Sequence, residues 1–120
     1  LARMPTIRDV VQALATRDGV EAVIVLGRDG LPIDAQAGNG LDTEGLAALV
    51  PSVVSACQRL GDAADRGGFG VGLVEYAQGM ALVAGLTPDT LLAMVFKADT
   101  NIGSHLFELH RHRAAIAELL

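Results

Sequence analysis

The sequence predicts an α/β domain built on a five-stranded antiparallel sheet with helices on both faces. Three observations lead there. First, residues 20–37, VEAVIVLGRDGLPIDAQA, set two apolar runs (22–26 and 31–37) on either side of Gly27-Arg28-Asp29-Gly30. Asp-Gly between apolar segments is a strong hairpin signal, and a two-residue turn there requires positive φ at both central positions, which Asp tolerates and Gly adopts freely. Second, Ala22, Ile24 and Leu26 fall on one face of the first run while Val23 and Val25 fall on the other. A strand apolar on both faces is a strand covered on both. Third, the chain reads helix, two strands, helix, three strands, helix. With each hairpin partner adjacent, this is simplest as one antiparallel sheet between helical layers.

The first helix is predicted from Thr6 to about Arg17. Thr6 is its N-cap and Asp9 completes a capping-box-like pair, with Pro5 just outside. Ile7, Val10, Val11 and Leu14 make a single buried stripe at i, i+3, i+4, i+7. Gly19 supplies the left-handed stop. After the hairpin, Gly38-Asn39-Gly40 is a loop, and Asp42 or Thr43 caps a second helix running to about Leu60. Its predicted core stripe is Leu46, Leu49, Val50, Val53, Cys57 and Leu60. The other side, Ala47, Ala48, Pro51, Val54, Ser55 and Gln58, is small or apolar instead of charged. A helix apolar on two sides is buried on two sides, and in so short a chain the second burial falls to another molecule. Pro51 removes a backbone bond inside this helix, so the helix either starts late or bends there.

Residues 61–68, GDAADRGG, form a polar linker. The third strand, residues 69–76, places Phe69, Val71 and Leu73 on one face and Gly70, Gly72 and Val74 on the other. Glycines inside a strand mark an edge, a bulge or close backbone approach. Residues 80–86 and 91–97, MALVAGL and LLAMVFK, are two more strands apolar on both faces. Asp99-Thr100-Asn101 then caps a last helix from Ile102 to Leu120, with Ile102, Leu106, Leu109, Ile116 and Leu120 as its stripe and Arg113 interrupting it.

Composition limits what such a domain does. Its 120 residues are enough for one domain with a real core, expected over residues 6–120. Residues 1–5 are a lead-in, with Met4 expected as the natural start after Leu1, Ala2 and Arg3. A net charge of −5 argues against a phosphate-backbone or polybasic membrane contact. No apolar window reaches the length of a membrane span. The expectation is a soluble cytoplasmic domain that binds no nucleic acid and inserts in no membrane. Cys57 is the sole cysteine, so an intramolecular disulfide is excluded.

Catalytic or cofactor chemistry finds no support in the pattern. The glycines around Phe69 have neither phosphate-loop nor dinucleotide spacing, and they lead into a strand instead of a helix N-terminus. His105, His110 and His112 lack the i, i+4 spacing of a two-histidine metal site and read as a solvated face. Glu108 and His112 do have that spacing and read as a surface pair. Cys57 has no histidine near it in sequence and reads as a structural core residue. No enzyme, no metal and no cofactor is the expectation.

The element order, the GVEAVIVLGRDGLPIDAQ hairpin, the LAALVPSVVSACQRLG helix and the strands LVEYAQGMALVAGL and LLAMVFKADTNIGSHLFEL resemble the Roadblock/dynein light chain family. The D-G-L-P hairpin is the most specific part. The resemblance implies strand order 2-1-5-4-3, a Roadblock/profilin-like sheet with helices 1 and 3 on one face and helix 2 on the other. It also implies a homodimer in which third strands pair edge to edge and second helices meet. Combined with the helical projection, this assigns Ala47, Ala48, Pro51, Val54, Gly70, Gly72 and Val74 to the dimer interface. Bacterial members are similar to gliding-motility regulators that bind a small Ras-like GTPase and modulate its cycle. That partner is expected on Ser52, Ser55, Gln58 and Arg59; any stimulation of hydrolysis is expected from holding the GTPase's own residues in place, with an arginine lent by Arg59 or Arg66 as the lesser alternative. Two other readings stand beside this one: a purely structural scaffold without a GTPase, and a small-ligand sensing module.

Overall fold

The computed structural model describes residues 4–38 and 40–120. Leu1, Ala2 and Arg3 of the lead-in and Asn39 of the predicted loop lie outside the described residues. The elements are α1 (Ile7–Ala15), β1 (Val20–Gly27), β2 (Pro32–Ala37), α2 (Thr43–Ala63), β3 (Val71–Tyr76), β4 (Gly79–Thr87), β5 (Thr90–Lys97) and α3 (Ile102–Ala117). The five strands form one antiparallel sheet in the order β2-β1-β5-β4-β3.

The sheet separates two apolar layers. On one face Val23, Val25, Leu82, Leu92, Met94 and Phe96 pack with Val11 of α1 and with Leu109 and Ile116 of α3. On the other, Ile24, Leu26, Val83, Leu91 and Ala93 pack with Ala47, Val50 and Val54 of α2. The alternation of β1 thus sends its two apolar faces into two different layers, as a strand with a period of two must.

Local chemistry sets the element ends. Thr6 Oγ1 accepts from Asp9 N at 3.3 Å while Asp9 Oδ2 accepts from Thr6 N at 2.8 Å, a reciprocal capping box that satisfies two otherwise orphaned donors. The helix ends at Ala15, two residues short of the expected Arg17, and Gly19 takes its positive φ of 81° in the turn that follows. Asp42 caps α2 by accepting from Gly45 N at 3.1 Å. At α3 the cap position is held by Asn101 without a side-chain bond, and Thr100 instead donates to Lys97 O at 2.7 Å.

The β1–β2 connection corrects the expected turn. Only Gly30 has positive φ, at 86°; Asp29 does not. Gly30 N donates to Gly27 O at 2.9 Å and Gly27 N to Leu31 O at 3.0 Å, the pattern of a three-residue loop whose last residue is left-handed. Asp29 bridges it by accepting from Leu31 N at 3.0 Å. The positive φ explains the choice of glycine, and α2 packs over it at ordinary contact distance. A Cβ on Gly30 would stand 3.4 Å from Ala48 Cα and 3.6 Å from Ala47 O.

Further corrections concern facing. α2 is one continuous helix through Pro51 from Thr43, so it does not start late. Its inward stripe is Ala47, Val50 and Val54, with Cys57 half-buried; Leu49, Val53 and Leu60, expected inside, are exposed. The sheet already offers large side chains (Ile24, Leu26, Leu91) beneath the helix, leaving room for small ones. Phe69 lies before β3 and joins the α2 layer, whereas Val71 joins the α1/α3 layer, so the two do not share a face. On the α3 side Leu120 lies past the helix end and is exposed, while His105, read as solvated, is buried at 6 % exposure.

Candidate interaction surface

α2 crosses its face of the sheet from the β1–β2 turn, where Gly30 lies under Ala48, to β3, where a Cβ on Gly72 would stand 3.5 Å from Cys57 Sγ. Its solvent side carries Leu49, Val53, Ala56 and Leu60, spaced i, i+4, i+7, i+11 and therefore on one line. Leu49 is 66 % exposed, Val53 39 % and Leu60 72 %. Beside them run Ala48, Ser52, Ser55 and Arg59, all exposed. A soluble helix normally turns charge outward. This one turns leucine and valine outward along most of its length.

The helix reaches an open sheet edge. Among the described residues β3 pairs only with β4, through Val71↔Ala84 to Tyr76↔Gly79, so its other side has no partner strand among them. Val74 is 40 % exposed there, and Leu73 and Tyr76 are exposed with it. Unpaired edges of this kind are templates for another strand unless they are blunted, and no proline or lysine lies in β3.

The predicted residues divide accordingly. Ala48 and Val74 are exposed. Ala47 and Val54, placed on the outer side by the sequence reading, are fully buried against the sheet, because the helix is rotated from the expected phase. Pro51 is half-buried on the flank of the inner stripe. Gly72 is packed under Val83, Cys57 and Phe69, and Gly70 holds a side chain of α3 through its carbonyl. Ser55, Gln58 and Arg59 are brought together with Asp62, Gly68 and Phe69 in a shallow polar cleft of about 380 Å³ at the end of α2; Ser52 lies outside it. Arg66 is exposed in the following turn.

Two features escaped the sequence reading. An open-sided apolar groove of about 570 Å³ runs between α1 and α3, floored by Leu92 and Met94 of β5 and walled by Leu14 and Leu109. At its mouth Glu108 meets Arg17 at 3.8 Å and His112 at 3.1 Å, the second being the expected surface pair. The other feature is His105. Its ring packs on Phe96 with centroids 4.8 Å apart, and its Nε2–H donates to Asp18 O at 2.9 Å. No cluster of three or more metal-ligating side chains occurs among the described residues, and no helix among them is long and apolar enough to cross a membrane.

The architecture has close structural counterparts. An MglB solved in a tetrameric arrangement superposes with a TM-score of 0.85 at 19 % identity, covering 99 % of this chain and 92 % of the other. MglB from Myxococcus xanthus gives 0.84 at 18 % identity, covering 94 % and 93 %. The gliding protein MglB from Thermus thermophilus gives 0.82 at 18 % identity, covering 99 % and 93 %. At these identities the likeness is one of fold. No curated protein matches the sequence significantly. The Roadblock/LC7 domain family, whose members are generally regulatory or adaptor proteins, matches residues 6–96. That match covers most of the chain and agrees with the 2-1-5-4-3 sheet, and on it this protein belongs to the Roadblock/LC7 family.

Proposed function

We propose that this protein is a non-enzymatic cytoplasmic regulator that works as a homodimer and binds a small Ras-like GTPase. The observation that carries the reading is the outward apolar line Leu49–Val53–Ala56–Leu60 on α2, ending beside the unpaired edge of β3. A twofold axis that pairs the β3 edges and brings the two α2 helices together covers both liabilities at once. The dimer then leaves Ser52, Ser55, Gln58 and Arg59 of each copy as a polar rim beside the covered apolar line, and this rim is the surface offered to the GTPase. Membership of the family supports the partner class, and the exposed α2 surface supports this face as the place.

Light scattering on the purified protein should give twice the chain mass. Titration against a Ras-like GTPase from the same organism, loaded with a GTP analogue or with GDP, should show nucleotide-dependent binding. Ser55→Arg adds bulk and charge to an exposed position and should reduce that binding in a protein that stays folded and dimeric. A dimer that binds neither nucleotide form would leave the scaffold reading. A second reading, ligand sensing, rests on the groove between α1 and α3, whose volume lies within the range of small-molecule sites. Mass spectrometry of the native and the denatured protein decides it, by showing or failing to show a released small molecule.

A further inference from the structure

Arg113 of α3 reaches across the end of the β3–β4 ladder. Its Nε donates to Gly85 O at 2.9 Å, and its Nη2 to Gly85 O at 2.6 Å and to Gly70 O at 2.7 Å. Gly85 N donates to Gly70 O at 3.2 Å. In an antiparallel ladder a directly opposed, hydrogen-bonded pair exchanges two bonds. Continuing the register Val71↔Ala84 by one residue makes Gly70 and Gly85 such a pair. Among the described residues the return bond, from Gly70 N to Gly85 O, is not made, and the guanidinium donates to Gly85 O in its place. The half-buried cation has no carboxylate partner among the described residues; its hydrogen bonds go to two glycine carbonyls.

We infer that Arg113 is a positioning residue for the interaction surface on the far side of the sheet. It closes the ladder where the chain enters β3. One residue earlier, Phe69 dives into the α2 layer and lines the cleft with Ser55, Gln58 and Arg59. One residue later, the free β3 edge begins. The arginine therefore fixes two parts of the surface, the first residues of the edge and the cleft wall formed by Gly68 and Phe69. Through it α3, which packs on the opposite face from α2, holds the edge strand ready to pair. This rests on the homodimer reading above. A strand already ordered pairs without the cost of being ordered on association, so loosening it weakens the dimer more than the fold.

The test compares Arg113→Met, which keeps the apolar stem, Arg113→Lys, which keeps the charge but not the fork, and Ile116→Val, a mild core truncation on the same helix. Sedimentation velocity over a dilution series should show the dimer Kd raised roughly tenfold or more in Arg113→Met, the scale of losing a charge-assisted bond. Arg113→Lys should fall between it and the wild type, and Ile116→Val should leave Kd unchanged. Hydrogen exchange should speed up in peptides covering residues 69–74 and stay constant in β1 and β5. A wild-type Kd in Arg113→Met, or an equal rise in Ile116→Val, overturns the inference. Should the wild type be monomeric at every concentration, the homodimer reading falls, and unchanged exchange at residues 69–74 in Arg113→Met overturns the clasp as well.

Discussion

The rotation of α2 makes opposed predictions for side chains only a few residues apart. Leu60 is 72 % exposed and Val54 fully buried, although the pattern of apolar residues alone ranks them the other way. Fully burying a leucine is worth about 1.5–3 kcal/mol, so the exposed two-thirds of Leu60 or Leu49 leaves about 1–2 kcal/mol to be gained on association. A twofold interface counts each substitution twice, giving about 2–4 kcal/mol, or roughly 30- to 700-fold in dimer Kd, for Leu60→Ala or Leu49→Ala. In the isolated chain the same changes should stay within about 0.5 kcal/mol of neutral. Val54→Ala removes two buried methyl groups and leaves a cavity, costing about 2–3 kcal/mol of folding stability. Dilution series by sedimentation give the first quantity. Urea unfolding extrapolated to zero protein concentration gives the second. Leucine variants that dimerise like the wild type would refute the placement of the interface. A neutral Val54→Ala alongside a strongly destabilising Leu49→Ala in the monomer would refute the phase of the helix itself.

Three further substitutions probe the framework. Gly30→Ala forces a side chain into a φ of 86°, so thermal unfolding should show a loss of about 1–3 kcal/mol; no loss would remove the left-handed conformation as the reason for glycine in this turn. His105→Ala gives up the packing on Phe96 and the bond to Asp18 O, about 2–4 kcal/mol, whereas His110→Ala at an exposed site should change stability by less than about 0.5 kcal/mol. Equal effects in denaturant unfolding would return His105 to the surface. Thr6→Ala breaks the reciprocal cap of α1 and should cost about 1 kcal/mol, with a matching loss in Asp9→Ala because each bond orients the other. A neutral Asp9→Ala would show the box to be idle.

The elements were legible because their signals are local. The capping box at Thr6, the Asp-Gly hairpin and the two-faced strand β1 each follow from residues adjacent in the chain, and all three stand in the structure. The turn type was not legible. Asp29-Gly30 is compatible with two loops that both place Gly30 at positive φ, so the dipeptide itself does not choose between them. His105 and Arg113 were not legible either, because their partners lie far off in the chain. Each is a polar residue on α3 whose partner is a backbone carbonyl elsewhere, Asp18 for the histidine and Gly70 and Gly85 for the arginine. Carbonyls have no sequence signature, so burial by such a partner is invisible to a reading of side chains.

The facing of α2 failed for a different reason, and that reason bears on function. Hydrophobic periodicity orients a helix only when one side is polar, because phase is read from contrast. Leu49, Val53 and Leu60 on one side and Ala47, Val50 and Val54 on the other offer little contrast, and ranking them by size chooses the wrong side. The sheet decides by volume: Ile24, Leu26 and Leu91 fill the layer and admit Ala47, Val50 and Val54 above them, which turns Leu49 and Leu60 outward. A helix in a lone monomer would pay for that arrangement with exposed apolar surface and would gain nothing from keeping it. The same lack of contrast that hides the phase is what a helix buried on both sides must have. The unreadable stretch therefore coincides with the surface proposed for assembly, and substitution of Leu60 separates that explanation from mere tolerance of exposed leucine.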